Sequence, residues 1–230
     1  VYSNTITIIV DMFSDSDKNK VDQWREFINY FDKETMFYFY QWSYISKEEL
    51  LQKGNAKKMQ KMQKDLVSIK KIAKLCGKFL AYILISKKFF REFQINLVGL
   101  GLGCYVIKEC IKELHKINHN EFFVKIKNVI LIGASMIISK EQKWKNCIEE
   151  TVIDKFINCY SKRDVILDNF YSVISENSGK IPIGLDSLEI NNEKGKNMVI
   201  NYDFTEESYD LLSYELGAVV KKIFEYYKDI

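Results

Sequence analysis

Apolar and polar positions alternate along this chain in short β-branched runs separated by longer stretches of helical period. Thr5 to Val10 is β-branched and leads to the polar turn Ser14-Asp15-Ser16-Asp17-Lys18-Asn19, which predicts a strand followed by a loop. Val21, Trp24, Phe27, Ile28 and Phe31 then recur at helical spacing. Met36 to Tyr40 predicts an aromatic strand, and Ser46 with Glu49 has the capping-box spacing that opens a helix. Further strands are predicted at Ile95 to Val98, Val129 to Ile132 and Phe156 to Tyr160. Between and after them come helices at about Leu102 to Ile117, around Trp144 and Ile148, and near Val165 to Tyr171. Leu188 to Ile190 and Met198 to Asn201 look like two short strands around the polar turn Asn191 to Gly195, and Thr205 caps a closing helix from about Glu206 to Tyr227. Strand and helix in repetition, with nearly continuous apolar strands, predict an α/β fold: a mostly parallel sheet with helices on both faces. No repeat or low-complexity linker divides the 230 residues, so one domain over 1–230 is expected.

One segment stands apart in charge. From Lys53 to Arg91 there are eleven lysines and one arginine against the single acid Asp65, a local +11 in a chain of net +3, which leaves −8 elsewhere. Met59, Met62, Leu66, Ile69, Ile72, Ala73, Cys76, Phe79, Leu80 and Ile83 recur three or four apart, so the segment predicts a helix with an apolar face and lysines over the remainder. Those lysines are either a solvated surface or a docking face for something acidic: a protein tail, an anionic membrane surface or RNA. Lys57, Lys61, Lys64, Lys71, Lys74 and Lys78 would form that face.

Composition narrows the classes further. Arg25, Arg91 and Arg163 are the only arginines, so the bidentate donors of a base-reading protein are scarce, and no sequence-specific nucleic-acid binding is expected. Cys76, Cys104, Cys110, Cys147 and Cys159 are odd in number and widely spaced, without a Cys-x-x-Cys pair. That usage predicts small core residues in a reducing, intracellular compartment, with no metal site and no cofactor. No apolar run reaches the roughly 20 residues that cross a bilayer, so no transmembrane span is expected. The chain opens on Val1, so an upstream segment could carry a targeting signal or a membrane anchor.

The chemistry-bearing stretch is Asn96-Leu97-Val98-Gly99-Leu100-Gly101-Leu102-Gly103-Cys104, a strand that breaks into glycines and becomes a helix. A dinucleotide fold would place a third glycine at Cys104 and an acid at the end of the next strand, which instead closes on Gly133-Ala134-Ser135. A hydrolase nucleophile elbow needs small residues two before and two after its centre, and Gly99 and Gly103 meet that need. The centre is Gly101, which permits the strained backbone and has no side chain to attack with.

With these motifs the chain resembles the α/β-hydrolase-like domain of the transmembrane and coiled-coil domain-containing proteins. The likeness runs through Ile95 to Gly103 with Val106 and Ile107, Val129-Ile130-Leu131-Ile132-Gly133-Ala134 with Trp144, Phe156 to Asp164, Ile183-Gly184-Leu185, and Asn201-Tyr202-Asp203-Phe204-Thr205. Carried over position by position, the resemblance puts the nucleophile on Gly101, the acid on Asp164 and the histidine on about Leu211, so only the acid remains. His115 and His119 lie at the far end of the helix that follows the elbow, roughly 20 Å from it at 1.5 Å per residue. Asp11 ends the first strand where the resemblance implies a glycine, and its charge would oppose an oxyanion. Cys104 and Ser135 are alternative nucleophiles without a base near them in sequence. Asp164 has a structural alternative as a helix cap or an exposed carboxylate.

The expectation is therefore a catalytically inactive α/β-hydrolase-like domain, a pseudoenzyme, serving as a structural or protein-interaction module whose partners are other proteins of a larger complex. Tyr38, Phe39, Tyr40, Trp42 and Tyr44 cannot all face a core and offer interface surface. The alternatives are a lipid-binding pseudo-hydrolase and an active esterase or lipase.

Overall fold

The computed structural model describes residues 4–11, 22, 24–25, 35–42, 56–117, 124–137, 141–168, 181–190 and 198–206. Its elements in chain order are β1 (Thr5–Val10), β2 (Met36–Phe39), α1 (Ala56–Ser86), α2 (Lys88–Arg91), β3 (Gln94–Leu100), α3 (Gly103–Ile117), β4 (Lys125–Ile132), α4 (Glu141–Thr151), β5 (Val152–Tyr160) and β6 (Val199–Asp203). The strands form one six-stranded sheet in the order β2-β1-β3-β4-β5-β6, with every pair parallel. This is a parallel α/β arrangement in which the chain reverses its direction of travel between β2 and β3. The reversal leaves the carboxyl ends of β1 and β3 side by side, and such a crevice is where open α/β sheets hold their ligands.

Strands β1 and β3 and most of β4 are buried on both faces, which is why they read as continuous apolar runs. On one face Ile6, Ile8, Val10, Ile95, Leu97, Val129 and Leu131 join a core with Ala73, Leu80 and Leu84 of α1 and Val106, Ile107 and Ile111 of α3. Gly77 sets how closely these two helices approach: a Cβ there would lie 2.4 Å from the Val106 carbonyl oxygen. The opposite face carries Ile9, Val98 and Ile130, all fully buried. The helices expected over that face fall largely outside the described residues, as does most of the predicted closing helix.

From Ala56 onward the lysine-rich segment is helical, broken at Lys87 into α1 and the short α2. One expected strand is absent: residues 188–190 are irregular. The Asn201 side chain accepts from Leu188 N (2.7 Å) and donates to Leu188 O (3.1 Å), so a side-chain amide occupies the backbone groups that a ladder would have used.

The sheet also contains a polar row. Thr7, Asn96 and Asn128 are buried and lie directly opposite one another on β1, β3 and β4. Asn96 donates to Thr7 Oγ1 (3.3 Å), Asn128 donates to Asn96 Oδ1 (3.0 Å), and Asn128 Oδ1 accepts from Lys155 N on β5 (3.1 Å). A bulge at Lys127 makes the row possible. It resets the β4 alternation so that Asn128 meets Asn96 while Ile126 and Val129 keep to the α3 side.

Candidate functional site

The loops at the carboxyl ends of β3, β4 and β5 are laced together by backbone hydrogen bonds. Gly101 leaves β3 with φ 57, and its neighbour across the sheet, Gly133, leaves β4 with φ 52. Both conformations lie in the left-handed region that favours glycine. Gly101 N donates to Ile132 O (3.0 Å), and Gly101 O accepts from Cys104 N (3.2 Å) and Ser135 N (3.4 Å). Gly184 N donates to Ala134 O, and Ser161 N donates to Gly184 O, each at 3.0 Å. Asp164 N then donates to Ser161 O (3.2 Å). Positions 101 and 164 therefore sit at one end of the sheet, joined through Ser135, Ala134, Gly184 and Ser161. Leu211 and His119 lie outside the described residues.

The flanking glycines are required by packing. A Cβ at Gly99 would lie 2.8 Å from Ile107 Cδ1 and 3.0 Å from the Cys104 backbone, and one at Gly103 only 1.9 Å from the Val10 carbonyl oxygen. At the carboxyl ends of β1 and β3 the Val10 carbonyl thus faces the start of α3. Asp11 follows immediately. Its carboxylate accepts from Trp24 Nε1 (3.0 Å) and its carbonyl from Trp42 Nε1 (2.8 Å), so two indoles fix this loop.

Asp164 is fully buried, not surface-exposed as one sequence alternative had it. Its Oδ1 accepts from Leu167 N (2.8 Å), the geometry of an N-cap on the helical turn at 165–168. Cys104 is fully buried, with Sγ 3.6 Å from Ile132 O. Burial pushes its thiol well above the usual cysteine range, and the negative charge of Asp11 adds to the shift. The helix start does not produce the low-pKa thiolate that a nucleophilic cysteine needs. Ser135 is buried in the β4 loop. His115 is at the opposite end of α3, with Nδ1 3.3 Å from Glu150 Oε2. Among the described residues no cluster of three His, Cys, Asp or Glu is placed to hold a metal ion.

Two features escaped the sequence reading. Asn158 on β5 donates to Ile183 O (2.9 Å) and Asp186 O (3.1 Å) and lies 3.2 Å from Asn201 Oδ1, so it anchors the 182–188 loop across the top of the sheet. Asp203, ending β6, accepts from Thr205 N (2.8 Å) and from the Thr205 hydroxyl, while Thr205 Oγ1 accepts from Lys162 N (3.0 Å). Burial pushes the Asp203 carboxyl up, but these donors, Tyr160 and the charge of Lys162 outweigh it, and the group titrates below its ordinary value. In the sequence Asn158 and Asp203 stand within the motifs Phe156 to Asp164 and Asn201 to Thr205, but nothing in the spacing shows these contacts.

Of the lysines named from the sequence, Lys71 and Lys74 are exposed on α1 and Lys78 is half-buried. Lys57, Lys61 and Lys64 lie on the same helix, with side chains outside what is described.

Comparison with known proteins gives the chain a family. Residues 58–226 match the profile described as "Protein of unknown function (DUF726)", and the chain belongs to that family. It is 32% identical over 152 residues to an uncharacterized membrane protein of Schizosaccharomyces pombe, a match covering 64% of this chain and 19% of the relative. It is 35% identical over 91 residues to the transmembrane and coiled-coil domain-containing protein STS1 of Oryza sativa, covering 40% and 13% respectively. The matched regions span a fifth or less of these relatives' lengths. Among solved structures, MenH from S. aureus aligns over 100% of this chain and 95% of its own, with 10% identity and a TM-score of 0.49. No described helix is long and apolar enough to cross a membrane.

Proposed function

We propose that this member of the DUF726 family is a catalytically inactive α/β-hydrolase-like domain that serves as a structural or protein-interaction part of a larger assembly. The observation that carries this reading is the backbone of Gly101. The chain turns there with φ 57, at the position where the resemblance places a nucleophile, and no side chain is present to attack. The surroundings support disuse. The nearest thiol is pushed up by burial, the Asp164 carboxylate caps a helical turn, and Asp11 sets a negative charge at the crevice where a hydrolase stabilises an oxyanion. A nucleophile and its base act as a unit worth many orders of magnitude, so a site without its hydroxyl has no reason to keep the remainder tuned.

The assembly half of the proposal rests on surface and context. Tyr38 and Phe39 of the edge strand β2 are exposed, and aromatics of this kind anchor interfaces. Five free cysteines support a reducing, intracellular setting. The relatives' names as membrane proteins support an assembly that is membrane-associated.

The test is hydrolysis of short-chain p-nitrophenyl esters by the purified chain. No turnover above the Gly101→Ala variant is expected. Turnover that is lost on changing Cys104 or Asp164, with the fold intact, would overturn the proposal.

A further inference from the structure

The core-facing side of α1 accounts for Ala73, Gly77, Leu80 and Leu84, yet the helix carries a second apolar row that the core does not use. Ile72, Leu75, Phe79 and Tyr82 are spaced three, four and three apart, and all are exposed, Leu75 to 66% and Phe79 to 62%. At 1.5 Å per residue the row runs about 15 Å along the outer side of the helix. Lys71, Lys74 and Lys78 each precede one of these residues, so a parallel row of ammonium groups flanks the stripe on one side. On the other side lies the β2 edge. Tyr40 donates to Cys76 O (2.9 Å), and the exposed Tyr38 packs edge-on against Phe89 and Phe90 of α2. A soluble surface disperses large apolar side chains, so a continuous exposed row of four marks a binding face.

We propose that this outward face of α1 docks peripherally on an anionic lipid membrane, with Leu75 and Phe79 entering the acyl boundary and Lys71, Lys74 and Lys78 lying at the level of the phosphates. Charge complementarity selects this occupant: Lys53 to Arg91 carries +11 with Asp65 as its only acid. Lysine is a point charge on a flexible stem, suited to headgroups that move. A helix lying in the interface with an apolar row and a lysine flank is a known solution to that task. RNA would find ammonium groups but no reason for Ile72 and Leu75.

The proposal makes the membrane association suggested above a direct contact of this domain and is independent of whether the site at Gly101 is catalytic. The experiment is co-sedimentation of the whole chain with vesicles of phosphatidylcholine containing 30% phosphatidylserine, against pure phosphatidylcholine and against a poly-uridine RNA competitor. Binding to the anionic vesicles is expected, with affinity falling about a hundredfold in Lys71→Gln/Lys74→Gln/Lys78→Gln, at roughly fivefold for each basic residue near the surface. Leu75→Ser/Phe79→Ser should bind several-fold more weakly at the same charge. A Phe79→Trp variant should show an emission blue shift and quenching by brominated lipid. Circular dichroism and melting confirm that each variant is folded, which these exposed sites allow. Absence of binding, equal binding to neutral vesicles, unchanged binding in either multiple variant, an unquenched indole, or displacement by RNA at micromolar concentration overturns the contact. Because only this chain is present, such a failure leaves anchorage of the assembly through another segment standing, and the esterase assay separately tests the inactive site.

Discussion

The three elbow glycines look alike in sequence, but each resists a side chain for a different physical reason, and the reasons predict an order. At Gly103 a Cβ would sit 1.9 Å from the Val10 carbonyl oxygen, so reaching an ordinary 3.4 Å requires the start of α3 and the end of β1 to part by about 1.5 Å. Both sides of that contact are backbone, Val10 is fully buried, and β1 is held by strands on both sides, so no rotamer change relieves it. Overpacking usually costs 1–3 kcal/mol, and Gly103→Ala belongs at the upper end, about 3 kcal/mol. At Gly99 the closest atom, Ile107 Cδ1 at 2.8 Å, is the movable end of a side chain, while the Cys104 backbone at 3.0 Å yields less, so about 2 kcal/mol is expected. At Gly101 the cost is the left-handed backbone at φ 57, about 1–2 kcal/mol, partly offset by the smaller entropy of an unfolded chain with alanine.

For a chain of this size each kcal/mol shifts the melting temperature by about 2–4 °C. Gly103→Ala should therefore melt roughly 6–12 °C below the parent, Gly99→Ala below it by an intermediate amount, and Gly101→Ala by only a few degrees. Urea unfolding with unchanged m-values should reproduce the order. Gly101→Ala as the most damaging of the three, or Gly103→Ala within about 2 °C of the parent, would refute the reasoning. The order bears on function. If the centre is the most tolerant position and its neighbours the least, packing of β1 against α3 preserves the bend, and the elbow persists without selection for a nucleophile.

Two further predictions follow from the site and its flank. Asp164→Ala removes the acceptor for Leu167 N and should cost about 1–2 kcal/mol, whereas Asp164→Asn, which keeps a capping oxygen, should melt closer to the parent. Equal loss in both would show that the capping oxygen at Leu167 N is not what Asp164 contributes to the fold. Lys108 sits over the rings of Tyr105 and Trp144 and donates to Ile137 O (2.9 Å); burial pushes it down to about 8, with Glu109 opposing and Lys112 and Lys70 reinforcing the shift. Its ammonium form is disfavoured by folding, so the cost is fully present below pH 8 and is relieved as pH rises from about 8 toward 10.5. The parent should gain up to about 3 kcal/mol relative to Lys108→Met across that window, and a pH-independent difference in urea stability would contradict the assignment.

The parallel sheet was legible because burial on both faces writes itself as uninterrupted β-branched runs, as in Thr5 to Val10 and Val129 to Ile132. The glycine turn was legible because few backbones need small residues at 99, 101 and 103 together. What stayed hidden is the polar order inside the sheet. Asn96, Asn158 and Asn201 stand inside the motifs without any sign of their partners, and Asn96 pairs with Asn128 across β3 and β4 only after the bulge at Lys127 shifts the register. Asn158 and Asn201 meet on β5 and β6 only because the strands are parallel and in line. A side chain's partner across a parallel sheet lies tens of residues away in sequence, and a one-residue bulge decides which partner it is. The second face of α1 was hidden for a related reason. The three-and-four spacing merged two rows into one face, placing Ile72 and Phe79 with Ala73 and Leu80, whereas Ile72 and Phe79 are exposed and the lysines do not cover the whole outer side. Ala73 and Gly77 decide which row faces inward, being small enough for the close crossing with α3, and their choice turns Leu75 and Phe79 outward. The bend after β3 and the exposed surface of α1 are thus set by the same helix packing: α3 closes on β1 through Gly103, and α1 closes on α3 through Gly77.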